Sequence, residues 1–422
     1  MKNAFVCALA VILSCGFALG QAQYKVLWNF GGAGDGATPK GKLVFDRAGN
    51  LYGTTPYGGM TNCVETCGTV YELSPTADGL SETVLYKFCS QPKCADGEAP
   101  FAGLIWDPAG NLYGTTIEGG PYGGGTVFKL APPSQQGGAW TESVLWGFIP
   151  NGAGGANPIG RLAWDSSGNL YGTTDGGGAA NVGTVFELSP SQGGWTETVL
   201  NSFEYSDGGG PEAGVSFDKS GNLYGTTTRF GDDLCNGDEG CGTIFELSPG
   251  GNGKWTEKVV FVFTMETGGV PYGEVNFDES GRLYSTVSSY GTGTACHESA
   301  CGGAFRMANV NGNWTYSPYF FDGPDGSEPF AGLFLDTKGQ SAYGTTITGG
   351  SGTNCGNSYG CGTVFTIHGG KETVLYDFCM QENCLDGLNP WSALITDGVG
   401  NLYGVTSYGG TYNQGVAFEI TP

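Results

Sequence analysis

Twelve of the cysteines in this 422-residue chain, all beyond residue 60, are its most reactive groups, and they fall into six close pairs. These are Cys63/Cys67, Cys89/Cys94, Cys235/Cys241, Cys296/Cys301, Cys355/Cys361 and Cys379/Cys384. Pairs of this kind close disulfides in an oxidising compartment or, taken two at a time, hold zinc. Cys235/Cys241 and Cys296/Cys301 have no local partners but each other, so six bridges within pairs are expected. Zinc would be confined to Cys63/Cys67 with Cys89/Cys94 and to Cys355/Cys361 with Cys379/Cys384, and neither set has a nearby histidine. The two histidines, His297 and His368, are isolated, and His297-Glu298 is an acid–base pair without a nucleophile or third partner. No catalytic residue is expected. Carboxylates form two sets. Asp46, Asp107, Asp165, Asp218, Asp278, Asp336 and Asp397 each precede a glycine by three positions, which builds a tight turn. Asp35, Asp96, Asp207, Asp325 and Asp386 each precede the glycine of a Gly-x-x-Pro. A rigid turn explains them, and a ring of carboxylates holding calcium is the alternative; no other cofactor is indicated.

The elements that position these groups are repeats. The motif Asp-x-x-Gly-x-Leu-Tyr-Gly recurs with small variations, its tyrosines being Tyr52, Tyr113, Tyr171, Tyr224, Tyr284, Tyr343 and Tyr403, separated by 61, 58, 53, 60, 59 and 60 residues. Such a period marks an array of one supersecondary unit. In the second unit Leu104–Trp106, Leu112–Thr116, Thr126–Leu130 and Glu142–Phe148 read as four strands, here called a to d, bounded by Gly, Pro, Asn and Ser. Four antiparallel strands in each of seven units predict an all-β, seven-bladed propeller. The segment Tyr24–Phe30 resembles a strand d, while Val416–Thr421 is a strand c with none after it. The N-terminal strand is therefore expected to complete the last blade and close the ring. A stacked β-solenoid is the alternative.

Alternating strand direction puts the b–c and d–a connections on one face. All six cysteine pairs fall in those connections, as do the seven Gly-x-x-Pro motifs, so this stapled face is the expected functional one. The residue after each proline should reach the mouth of the central channel. It reads Lys40, Phe101, Ile159, Glu212, Tyr272, Phe330 and Trp391, with Lys42, Gly103, Arg161, Gly214, Glu274, Gly332 and Ala393 two positions further in. The b–c loops add Tyr57, Tyr122, Phe230, Tyr290, Tyr359, Tyr408 and Tyr412. Phe101, Tyr272, Phe330, Trp391, Lys42, Arg161, Glu274, Tyr57, Tyr122, Tyr290, Tyr359 and Tyr408 are the candidate ligand-binding residues. Aromatics among glycine and polar groups suit stacking on a glycan or another small, flat ligand. The bland alternative is that they pack the loops down.

Lys2, the apolar run Ala4–Leu13 and small residues up to Gly20 or Ala22 read as a signal peptide over 1–22, leaving one propeller over 23–422. A lipoprotein box at Ile12–Cys15, acylated on Cys15, is the alternative. No other apolar run is long enough to cross a membrane. With 17 Lys and Arg against 40 Asp and Glu, the net charge of −23 disfavours nucleic acid and anionic lipid. A secreted or periplasmic monomer is expected.

The segments Phe45–Thr55, Gly183–Pro190 and Trp195–Leu200 carry FDxxGNLYGTT-, GTVFELSP- and WTETVL-type motifs. They resemble the GloVer tandem-repeat family of secreted bacterial proteins across nearly the whole chain. The DxxGNLY turn alone is also similar to NHL, gluconolactonase-like and streptogramin-lyase-like propellers. The GloVer resemblance implies an exported protein, often with a C-terminal surface anchor, and no assigned catalytic residues. This chain ends at Pro422 directly after a strand, so an anchor would have to use Cys15. The expected function is a binding or interaction module, for glycans or a surface protein. A propeller lyase or lactonase-type hydrolase with a metal site on the stapled face, and a structural adhesion protein, are the alternatives.

Overall fold

A computed structural model describes residues 22–60, 67–77, 79–135, 137–231, 235, 240–292, 301–336, 339–352, 354 and 360–422. The proposed signal segment up to residue 21, with Cys15, lies outside them, as do Cys63, Cys296, His297, Glu298, Cys355 and Tyr359. Seven four-stranded antiparallel sheets form the blades of a propeller. In blade 1 they run a (Val44–Phe45), b (Leu51–Thr55), c (Thr69–Thr76) and d (Gly79–Lys87). Blade 7 takes strand d from the other end of the chain: Gln23–Asn29 pairs with Val416–Thr421. The ring is thus closed by the N-terminal strand, which rules out the solenoid. Among the described residues no helix is long and apolar enough to cross a membrane.

The repeated residues explain the repeat. In the first turn, the Asp46 carboxylate accepts N–H bonds from Ala48 and Asn50 and the amide of Asn50, while Tyr52 donates its hydroxyl to the same group. Asp107, Asp165 and Asp397 do the same in their blades. These aspartates hold turns and face no channel.

Blades join through aromatic pairs. The ring on strand c of each blade meets the phenylalanine that ends strand d of the blade before it, from Phe30–Tyr71 to Phe378–Phe418, at 4.9–5.5 Å between centroids in all seven junctions. Edge-on aromatic contacts of this kind add to the burial of two large rings. Gly53 in the Leu-Tyr-Gly of strand b must lack a side chain, because its Cβ would lie 2.4 Å from the Tyr71 hydroxyl. Each blade is also sewn inside. Paired strand b and c threonines share a buried hydroxyl contact of 2.8–2.9 Å in blades 1, 2, 3, 4 and 6.

Candidate functional site

The site is built by the d–a connections. The residue before each proline of Gly-x-x-Pro adopts the left-handed backbone, with φ between 53 and 62° at Thr38, Ala99, Asn157, Gly210, Val270, Glu328 and Asn389. Six of these are not glycine, so the conformation must be held from outside. The structure shows the hold: each of the seven N–H groups donates to a carbonyl just before strand c of the preceding blade, at 2.8–3.0 Å. A two-residue bridge then pairs every d–a connection with the b–c connection of its own blade, from Gly36–Ala37 with Tyr57–Gly58 to Leu388 with Tyr408. Both loop sets therefore share one face, as the strand alternation requires.

This latch carries the residue after each proline to one opening. Lys40, Phe101, Ile159, Glu212, Tyr272, Phe330 and Trp391 all line a cavity of about 160 Å³ at the mouth of the channel. Around it runs an unbroken arc. Tyr272 stacks on Phe330 at 4.4 Å, and Phe330 leans on Trp391 at 4.6 Å. The Lys40 ammonium sits 4.0 Å from the Trp391 ring and 4.8 Å from Phe101, and Tyr57 meets Phe101 edge-on at 6.3 Å. A cation over two ring faces is an attraction of roughly 0.5–2 kcal/mol. Burial lowers the Lys40 pKa.

The remaining arc is Ile159 and the carboxylate of Glu212. Glu212 accepts the Thr228 hydroxyl at 3.2 Å, and beside it Arg229 is ion-paired with Asp175. Burial first, and then the charge of Asp175, push the Glu212 carboxyl up to about 7. Burial with Glu212 nearby raises Tyr272 to about 12.

Beneath the mouth lies a floor made by alternation. Lys42, Arg161 and Glu274 come from blades 1, 3 and 5, with Gly103, Gly214 and Gly332 between them. A side chain on Gly214 would strike the Arg161 carbonyl at 2.3 Å, and one on Gly332 the Glu274 carbonyl at 2.5 Å, so the glycines let the charged chains cross the channel. Arg161 and Glu274 form an ion pair at 3.0 Å with side chains 28% and 17% exposed. Burial works to raise Glu274, but Arg161 and Lys42 outweigh it and hold it low. Burial lowers Lys42 against the opposing charge of Glu274, and the charge of Arg161 adds to the lowering.

The other candidates lie apart. Tyr122 is 63% exposed and Tyr408 46%, and neither lines the cavity, although Tyr408 neighbours Tyr57. Tyr290, like Phe230, has positive φ and packs its ring on a glycine of its own d–a loop, Gly269 and Gly209 respectively. Tyr412 lines a different depression, beside Trp28. Asp175 and Arg229 were not expected. They sit one and two positions after the Thr-Thr that ends strand b, at or next to the loop bridges, and from there their charges act on Glu212 and Tyr272.

The five Gly-x-x-Pro aspartates line no part of the mouth. Asp96 accepts from the Tyr86 hydroxyl, both Ser90 donors and the Gln91 N–H, and Asp386 is held in the same way by Tyr376, Met380 and Gln381. Asp35, Asp207 and Asp325 likewise serve their own loops. The calcium ring thus has no convergence point at the mouth. Cys89–Cys94, Cys235–Cys241 and Cys379–Cys384 are bridged within pairs as expected. Cys67, Cys301 and Cys361 are disulfide-bonded as well, their expected partners lying outside the described residues. The described cluster nearest to a metal set, Cys89, Cys94 and Glu98, has its thiols in that bridge.

The profile of the Gloeobacter/Verrucomicrobia repeat matches residues 16–139, 136–357 and 236–422. The chain belongs to this family. No curated protein matches it at a significant level. Among solved structures, the polysaccharide lyase Uly1 superposes with a TM-score of 0.51 at 13% identity, over 96% of this chain and 94% of its own. A candidate glucose dehydrogenase from Thermus thermophilus gives 0.46 at 15% identity, over 95% and 100%. A candidate 6-phosphogluconolactonase from Bacteroides fragilis gives 0.48 at 14%, over 79% and 82%. At these identities the Uly1 likeness speaks for the propeller fold alone. A glycine precedes or opens strand c in every blade. In six blades that glycine packs against the proline ring of the next d–a loop, so strand c and the mouth are mechanically one unit.

Proposed function

We propose that this repeat protein is a secreted binding module whose mouth takes the end unit of a glycan. The arc Tyr272–Phe330–Trp391–Lys40–Phe101, facing Glu212 across one small opening, is the observation that carries the reading. At about 160 Å³ the cavity is smaller than the ~300–1,000 Å³ of sites that engulf a drug-sized ligand, so a terminal ring enters and the rest of the chain lies over the loops. Ring edges and faces supply apolar contact to the C–H side of a sugar, while Lys40 donates to and Glu212 accepts from its hydroxyls. Disulfides in the loops around the mouth support export to an oxidising compartment. Glycan-array screening followed by calorimetry on the best hit tests the reading. Trp391→Ala should weaken that hit by about 1–3 kcal/mol while the melting temperature hardly moves. A collapse of the fold without a specific binding loss would make the arc packing only.

The second reading, a lyase or hydrolase, is favoured by Glu212, whose carboxyl near 7 is poised for proton transfer at the mouth. Turnover of a polysaccharide or lactone that disappears in Glu212→Gln would select it over binding alone.

A further inference from the structure

The junction between blades 5 and 6 departs from the repeat at three places that meet. Six blades begin strand b with Leu-Tyr, but blade 6 has Ala342 for the leucine. Five blades end strand a on an aromatic ring that meets the tyrosine of the preceding blade edge-on, as in Tyr52–Trp106 at 4.8 Å and Tyr224–Phe277 at 5.1 Å. Blade 6 offers Leu335 to Tyr284 instead. In blades 2 to 5 the c–d hairpin runs on to a tryptophan, and Trp140, Trp255 and Trp314 lie 6.0–6.4 Å from the preceding tyrosine. In blade 6 the hairpin turns early, Gly369 and Gly370 taking positive φ between the paired His368 and Lys371, and that rung is absent. A cavity of about 670 Å³ stands where two rings and a leucine side chain would have been.

Charge at the same cavity is reversed relative to the repeat. Arg306 on strand c stands where blades 1, 3, 4 and 7 have Glu72, Glu187, Glu246 and Glu419. Arg282 stands where five blades carry asparagine, its guanidinium donating to Asp278 at 2.5 Å. Arg306 is exposed, and His368 pairs its Nδ1 with the Ser341 hydroxyl at 2.9 Å on the opposite wall. In a chain of net charge −23, two of 17 Lys and Arg line this one hollow, on the turn face away from the mouth.

We propose that the blade 5–6 cavity is a second ligand site, for a planar apolar ring system bearing an anionic group. The ring would lie over Tyr284 in the space the absent aromatics leave, and the anion would meet the Arg306 guanidinium with Arg282 behind it. The junctions at Tyr52, Tyr171 and Tyr224 hold both rings, and no other blade carries arginine at this strand c position.

Fluorescence titration with 1-anilinonaphthalene-8-sulfonate tests the site, with neutral N-phenyl-1-naphthylamine as the comparison. The expected result is saturable 1:1 binding of the sulfonate. Two variants restore what the other blades already have, which favours their folding. Leu335→Trp/Ala342→Leu should fill the hollow and abolish binding of both probes, with an equal or higher melting temperature. Arg306→Glu should weaken the sulfonate by about tenfold or more, the weight of a charge-assisted contact, and leave the neutral probe unchanged. Trp391→Ala at the distant mouth should change neither. Equal binding by the filled variant, no saturable binding by the parent, or equal loss of both probes in Arg306→Glu would overturn the proposal.

Discussion

Stability should be greatest in mild acid and fall as the solution is made alkaline, because five blades bury the same glutamate. Glu82, Glu142, Glu197, Glu257 and Glu372 occupy one position of strand d, and one carboxyl oxygen of each is shielded without a hydrogen-bond partner. Burial is the leading cause of a raised pKa at all five. It brings Glu142, Glu197, Glu257 and Glu372 from 4.5 to about 7 and raises Glu82 as well, where Asp35 adds to the effect. A carboxyl raised in the folded state costs nothing below its unfolded value of about 4.5 and imposes its full penalty above the folded one. The loss therefore develops between roughly pH 4.5 and 7, and later for Glu82. Fully sequestered, each glutamate would cost about 3 kcal/mol. Each keeps part of its surface in water, which reduces this to on the order of 1 kcal/mol, or about 5 kcal/mol together. For a domain of this size that is a drop on the order of 10 °C in melting temperature. The turn aspartates act in the other direction. Burial works to raise Asp107, Asp165 and Asp397, but the hydrogen bonds of their turns prevail and hold them below 3.8, so their contribution is lost only as pH falls below that value. Differential scanning calorimetry from pH 3 to 9 should show a maximum near 4–5, and replacing the five glutamates by glutamine should flatten its alkaline side. A melting temperature that climbs steadily from pH 5 to 8, or an unchanged slope in the glutamine variant, would refute the reasoning.

Removal of Gln23–Asn29 should expose the edge of Val416–Thr421 and unstack Tyr24 from Tyr376, which lie 4.0 Å apart, giving aggregated protein by light scattering. Arg161→Met should destabilise by about 2–4 kcal/mol in chemical denaturation by leaving Glu274 poorly compensated, and adding Glu274→Leu should recover most of it. Non-reducing peptide mapping should recover Cys63–Cys67, Cys296–Cys301 and Cys355–Cys361 beside the three described bridges; bound zinc would contradict this.

The period of Tyr52 to Tyr403 and the mismatch of the chain ends made the closed ring legible, because both are properties of a linear string. The ring of residues after the prolines was legible for the same reason, since a repeated loop delivers the same position to the same radius. Contacts between repeats were not. Asp175 and Arg229 come near Glu212 because a bridge ties each b–c loop to its d–a loop, and nothing in the composition of those loops announces that pairing. The floor is a further step removed: Lys42, Gly103, Arg161, Gly214, Glu274 and Gly332 read as scattered substitutions until the ring is closed. Then the small residues are seen to make room for the large ones from alternate blades.

The strand d position shows the same logic from the energetic side. Where five blades place a glutamate against the preceding loop, blades 5 and 7 place Tyr316 and Tyr24, whose hydroxyls donate to the Thr267 and Asp386 carbonyls at 2.5 Å. A hydroxyl reaches that loop with no charge to desolvate, so the fold does not require glutamate there. At Glu142, Glu257 and Glu372 the loop also presents an aspartate, whereas Glu197 faces Gly154 in its place. Burial alone therefore raises Glu197, and Glu197→Gln isolates that cost from the repulsion between carboxylates. A pH response at Glu197 as large as that at Glu142 would show that burial, and not the paired acids, sets the acid optimum of the propeller.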